Sequence, residues 1–138
     1  MTTITLARTG REPLRFEGTL IASAVGQFVH TKPTRPNRNW LEVAIYSTPP
    51  PVRFVVAVAC FRNLNGHLSE HRRAVVTDDP RGLLLEWPWR QMVIGYPPGD
   101  QFVAKQRRLE EQLSRQWAEL LSVALAEFPE TLKSGANQ

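Results

Sequence analysis

With 138 residues, 42% of them hydrophobic and 22% charged, the chain is sized and composed for one folded domain with one core, not for wholesale disorder. No apolar run approaches the length that spans a bilayer: the longest, Phe54 to Phe61, is strand-sized. The N-terminus lacks the charged and apolar regions of a signal peptide, so the expectation is a cytoplasmic protein with no membrane partner.

The formal net charge of +4 is unevenly placed. Residues 1–73 hold ten Lys and Arg against four Asp and Glu, whereas residues 74–138 hold seven against nine. A basic first half permits binding to nucleic acid or to an acidic protein surface. Arginine outnumbers lysine fourteen to three, which suits phosphate-facing guanidinium forks but is explained more simply by a base-composition bias. The single cysteine, Cys60, has no partner for an internal disulfide.

In chain order, Thr3 to Arg8 and Leu14 to Ile21 alternate with period two and predict half-buried strands, joined across Gly10-Arg11-Glu12-Pro13. Residues 30–39, basic and punctuated by prolines, predict an exposed loop or arm. Trp40 to Ser47 predicts a strand with Leu41, Val43 and Ile45 inward. After the proline turn at 48–51, Val52 to Phe61 is apolar on both faces, as in a central strand covered on two sides. Asn65-Gly66 marks a turn and Arg72 to Thr77 a short fifth strand.

Asp78-Asp79-Pro80 is a helix-start signal for a short helix over Arg81 to Glu86, stopped by Pro88. The last element is a helix from a cap at Asp100 to Phe128, with Phe102, Leu109, Leu113, Trp117, Leu120, Leu121, Ala124 and Phe128 on one stripe. Arg107, Glu111, Arg115 and Glu119 form a solvated ladder of alternating charge opposite it. The tail from Lys133 to Gln138 is expected to fray. The fold expected is α+β: a roughly five-stranded antiparallel sheet over residues 3–77, a short helix, and one long C-terminal amphipathic helix packed on the sheet, in a single domain spanning 1–138. About 28 helical residues would extend roughly 42 Å and overhang such a sheet, unless the helix starts late or kinks.

Few residues suggest chemistry. His67-Leu68-Ser69-Glu70-His71 matches H-x-x-E-H, in which two histidines one helical turn apart hold zinc and the glutamate activates water. Here it follows a turn and leads into a β-branched strand, where His67 and His71 share a face and Glu70 points away. The two histidines are therefore weak metal candidates at best, and surface histidines at a strand entrance are the plainer reading. Cys60, on the doubly apolar strand, reads as a buried structural thiol. No phosphate loop, dinucleotide fingerprint or nucleophile elbow occurs, so no catalytic residue and no cofactor is assigned; a non-catalytic protein is favoured, with a metal-binding or hydrolytic protein using His67, Glu70 and His71 kept as the third and least favoured reading.

Two binding readings stand side by side. Lys32, Arg35 and Arg38 on the arm, Trp40 beside them, and Arg62, Arg72 and Arg73 further on could contact phosphates and stack a base, making an accessory protein that binds nucleic acid. The bland version is a solvated loop with Trp40 anchoring its strand, and an edge strand protected by charge. Alternatively Trp89, Leu109, Leu113, Trp117 and Leu121 serve a protein–protein adaptor, inhibitor or assembly subunit, as a homodimer or in a larger assembly. The same residues would also look this way as core.

Overall fold

The computed structural model describes residues 2–26, 29–30, 38–64 and 66–127. It is an α+β fold in which an antiparallel sheet is followed by a short helix and a long C-terminal one. The strands are β1 (Thr2–Arg8), β2 (Arg11–Val25), β3 (Val29–His30), β4 (Arg38–Ser47), β5 (Phe54–Leu64) and β6 (His67–Thr77). Their order is β1-β2-β4-β5-β6, with the two-residue β3 paired to β4. Strand β6 is thus longer than the short strand expected from Arg72, and the 10–13 connection contracts to Thr9-Gly10, with Arg8 paired to Arg11 and Gly10 at φ +73°.

Strand β2 does two jobs. Its first half pairs with β1 and its second half with β4, the register shifting between Leu20 and Ala22. Gly18 sits at the corner: a Cβ there would lie 2.8 Å from the Ser47 carbonyl oxygen and from the Phe16 ring. A bulge beside a glycine lets a strand turn sharply. The β1–β2 hairpin folds back over the sheet as a flap, with Phe16 edge-on to Tyr46 at 5.5 Å. The Thr9 N–H donates to the Arg72 carbonyl (2.9 Å), and the Arg72 N–H donates to Thr9 Oγ1 (2.8 Å), so the sheet curls until its first strand meets its last.

The two faces of the sheet therefore have different covers. Leu41, Val43, Ile45, Val56, Val58 and Cys60 face the main core with Leu84, Trp87, Trp89, Met92, Leu109, Leu113, Trp117 and Leu120. On the flap side Val55, Ala59, Phe61 and Ala74 are buried as well, which is why β5 is apolar on both faces. Helix α1 (Pro80–Leu85) starts as expected: Asp79 Oδ1 accepts the Gly82 N–H at 3.0 Å.

Helix α2 (Val103–Ala124) is 22 residues long, flanked by 3-10 turns at Asp100–Phe102 and Leu125–Glu127. Asp100 does not cap it, because the 3-10 turn holds the first N–H groups and no side chain bonds to the helix start. At 1.5 Å per residue, α2 spans about 33 Å, less than the 42 Å expected. Its first buried side chain is Leu109, and the turns before it lean on the 93–99 connector: Gln106 Oε1 accepts the Tyr96 N–H, and Phe102 stacks on Tyr96.

Candidate nucleic-acid interface

Alternation on the strands and the paired registers decide which side chains can act together. On the flap side, one cross-strand row is Trp40, Phe61 and Glu70; the next is Val25, Glu42, Ala59 and Arg72; the third is Ser23, Ala44, Ala57 and Ala74. Trp40, partly exposed, lies parallel to Phe61 with ring centroids 4.9 Å apart. The Arg72 guanidinium sits over the other ring of the pair, 4.9 Å from the Phe61 centroid, and Arg72 Nε bonds Glu70 at 2.9 Å. Tryptophan, phenylalanine and arginine thus form one stacked unit on the sheet face away from α2.

The flap delivers more positive charge to this place. The Thr9–Arg72 bonds hold the hairpin tip against β6, bringing Arg8, and Arg11 across the turn from it, alongside Arg72. Arg8 Nε donates to the Glu12 carbonyl at 2.8 Å, which fixes its stem, and Arg11 is exposed. Sequence reasoning missed both arginines, because nothing local says that a hairpin 60 residues upstream closes onto β6. Arg38 opens β4 opposite His30 and Asn63 at the Trp40 end of the sheet; Lys32 and Arg35 lie outside the described residues.

Arg62 and Arg73 go elsewhere. They point to the helix side, where Arg62 donates to the Gly95 carbonyl and stacks on Tyr96 at 4.9 Å, and Arg73 stacks on Trp87 at 5.3 Å. Arg62 and Arg73 therefore do not share a face with Arg72. Of the residues considered for partner capture, Leu109, Leu113, Trp117 and Trp89 are buried inside this chain, so a partner would reach those four only by displacing the core, while Leu121 is half-buried at the edge. The charged ladder of Arg107, Glu111, Arg115 and Glu119 is exposed.

His67 is exposed and His71 half-buried on the helix-side register, with Glu70 on the other face. Among the described residues no group of three His, Cys, Asp or Glu side chains comes together as a metal site. Burial pushes the Cys60 thiol up, partly offset by a hydrogen bond from the Ile94 backbone, so it is poorly placed to be a nucleophile.

Between flap and sheet lies an open cleft of about 300 Å³ lined by Leu6, Leu20, Glu42, Ala44, Tyr46 and Ala57, with Arg72 at its rim. A larger, shallower groove of about 780 Å³ runs along the outer face of α2 beside Tyr96 and Pro97, lined by Arg90, Arg107 and Arg115 as well as Glu110 and Glu111. Its mixed charge marks no ligand class. No helix among the described residues is long and apolar enough to cross a membrane.

No family model, curated protein or solved structure matches the chain.

Proposed function

We propose that the protein is a non-catalytic binding module for single-stranded nucleic acid, using the flap side of the sheet. The observation that carries this reading is the Trp40–Phe61–Arg72 stack with the flap-tip arginines held beside it. Unpaired bases stack on aromatic rings and guanidinium planes in a sequence-tolerant way, and this cluster, with Trp40 partly exposed, offers both kinds of group. Arg8, Arg11 and Arg72 supply charge for the phosphates, and Lys32, Arg35 and Arg38 of the basic segment before Trp40 add to it. A duplex keeps its bases stacked inward, so a flat ring on a sheet suits a single strand better.

The test is fluorescence anisotropy of labelled single- and double-stranded oligonucleotides at about 50 and 200 mM salt. Single strands bind at low salt, and the affinity falls steeply at high salt. Trp40→Ala weakens binding at both salts, and a triple Lys32, Arg35, Arg38→Ser variant lowers the salt slope. Absence of binding at low salt would overturn the reading.

A further inference from the structure

We infer that the cleft between flap and sheet takes one unpaired base of the bound strand, and that Glu42 selects guanine there. This inference rests on the single-strand reading above and assigns it a base-reading site.

The floor of the cleft is made by Ala44 and Ala57, direct cross-strand partners, and by Ala59 beside Glu42. Side chains that end at Cβ leave a flat apolar surface between taller walls, here Leu6, Leu20 and Tyr46. A volume of about 300 Å³ stands at the low end for small-molecule pockets, suited to one flat heterocycle and not to an extended ligand.

Glu42 is the carboxylate of that cleft, whose other polar lining includes Ser23 beside Ala44 and Tyr46 on the wall. It is half-buried, and it makes no hydrogen bond or ion pair with any described residue. The arginine on its own row, Arg72, is separated from it by Ala59 and is committed to Glu70 and the Phe61 ring. A half-buried carboxylate beside an apolar surface, with no cation of the protein on it, leaves both oxygens to accept N–H donors from a ligand in place of water.

The bases differ in this respect. Guanine places a ring N–H and an amino group side by side, matching both carboxylate oxygens. Cytosine and adenine each offer an amino group flanked by an acceptor. Thymine and uracil offer one ring N–H between two carbonyls, which would face the carboxylate with like charge. The cleft adjoins the Trp40 stack, since Glu42 is the next residue on the same face of β4. A strand laid along this face past Trp40 can therefore place a base over the alanine floor.

The experiment compares labelled oligo(dT) with the same oligonucleotide carrying one central dG, at low salt, by anisotropy. The dG-containing strand binds about tenfold tighter, the range expected for one well-made pair of hydrogen bonds to a base. Glu42→Gln, which exchanges one acceptor for a donor, removes most of that difference while the fold, checked by thermal melting, survives. Ala57→Leu, which fills the floor, also removes the difference and leaves the salt-dependent part of binding in place. Equal binding of both strands by the unmodified protein, or a preference untouched by Glu42→Gln, would overturn the base-reading site and leave the backbone reading standing. No binding of either strand would overturn both.

Discussion

The buried side chain of Gln116 on α2 accepts a hydrogen bond from the Leu41 N–H of β4, at 2.6 Å. The ladder explains why. Gly26 N–H donates to the Leu41 carbonyl and ends the pairing of β2 with β4, while β3 resumes opposite Asn39. The Leu41 N–H faces that break and needs an acceptor, because an unpaired buried amide costs about as much as a lost hydrogen bond. A helix side chain fills the gap in a sheet, tying the two layers together at one point.

Gln116→Ala leaves the Leu41 N–H buried and unsatisfied. The expected loss is about 1–3 kcal/mol, read as a lower urea midpoint with little change in slope. A fall in melting temperature of about 4 °C per kcal/mol accompanies it. An unchanged midpoint would mean that water replaces the side chain without cost.

Gly26 shares this site. A Cβ on it would come 2.1 Å from Gln116 Oε1, so Gly26→Ala must expel the glutamine side chain from its place. We expect Gly26→Ala and Gln116→Ala to be non-additive, the double variant being less destabilised than the sum by about 1 kcal/mol. A double-mutant cycle by chemical denaturation measures the coupling directly, and additivity would place the two residues in separate environments.

Much of this fold is written locally, and the exceptions share a cause. The alternation of Leu14 to Ile21 identifies β2, and Asp79 before Pro80 identifies the start of α1, because both are settled by residues within one or two turns of chain. The bend of β2 at Gly18 is invisible to alternation, since the period of two continues across it while the face changes owner. Gln116, a polar residue among Leu113, Trp117 and Leu120 on the apolar stripe, was a readable signal of a buried partner, but its partner lies 75 residues away. The separation of Arg72 from Arg73 was also legible, as adjacent strand residues point to opposite faces. The alanine floor was not, because Ala44, Ala57 and Ala59 become neighbours only once the register is known.

The corner of the flap predicts an order of severity. At Gly18 an added Cβ meets the Ser47 carbonyl oxygen at 2.8 Å, a backbone atom that cannot step aside. At Gly10 the space is open, and only the φ of +73° disfavours a side chain. Gly10→Ala should therefore cost about 1 kcal/mol. Gly18→Ala should cost about 2–3 kcal/mol and loosen the flap. Limited proteolysis would then cut the β1–β2 hairpin of the Gly18 variant first, and equal resistance in the two variants would count against a strained corner.

Cys60 gives a pH dependence with a definite sign. Burial raises its thiol pKa in the fold, so on raising the pH the unfolded chain loses that proton first. Its contribution to stability is whole below the ordinary thiol range and is lost as pH rises through that range towards the folded value. Urea midpoints measured from pH 7 to about 9.5 should decline, and less steeply in Cys60→Ala. Tyr46, also raised by burial, adds its own decline only around pH 10 and above, outside this interval. Iodoacetamide should alkylate the native thiol far more slowly than the denatured one. Rapid native alkylation, or equal slopes in the two proteins, would contradict the buried thiol.

Two arginine classes separate binding from folding. Arg62 and Arg73 lie over Tyr96 and Trp87 on the helix side, and Arg62 also donates to the Gly95 carbonyl. Replacing either with methionine keeps most of the stem packing and removes the cation, at a cost of about 0.5–2 kcal/mol in stability. Their charges face away from the Trp40 stack, so affinity for single strands at about 50 mM salt should stay within twofold of the unmodified protein. Arg8 and Arg11 give the opposite pattern. They sit at the hairpin tip, Arg11 exposed and Arg8 half-buried with one bond to the Glu12 carbonyl, so their loss costs only about 0.5–1.5 kcal/mol, yet each phosphate contact removed flattens the salt dependence by nearly one unit of slope. Arg8→Ser with Arg11→Ser should therefore melt only a few degrees below the unmodified protein, about 4 °C per kcal/mol lost, and bind several-fold more weakly. If the helix-side pair weakens binding and the flap pair does not, the nucleic acid lies on the other face of the sheet and the Trp40 stack is not its site.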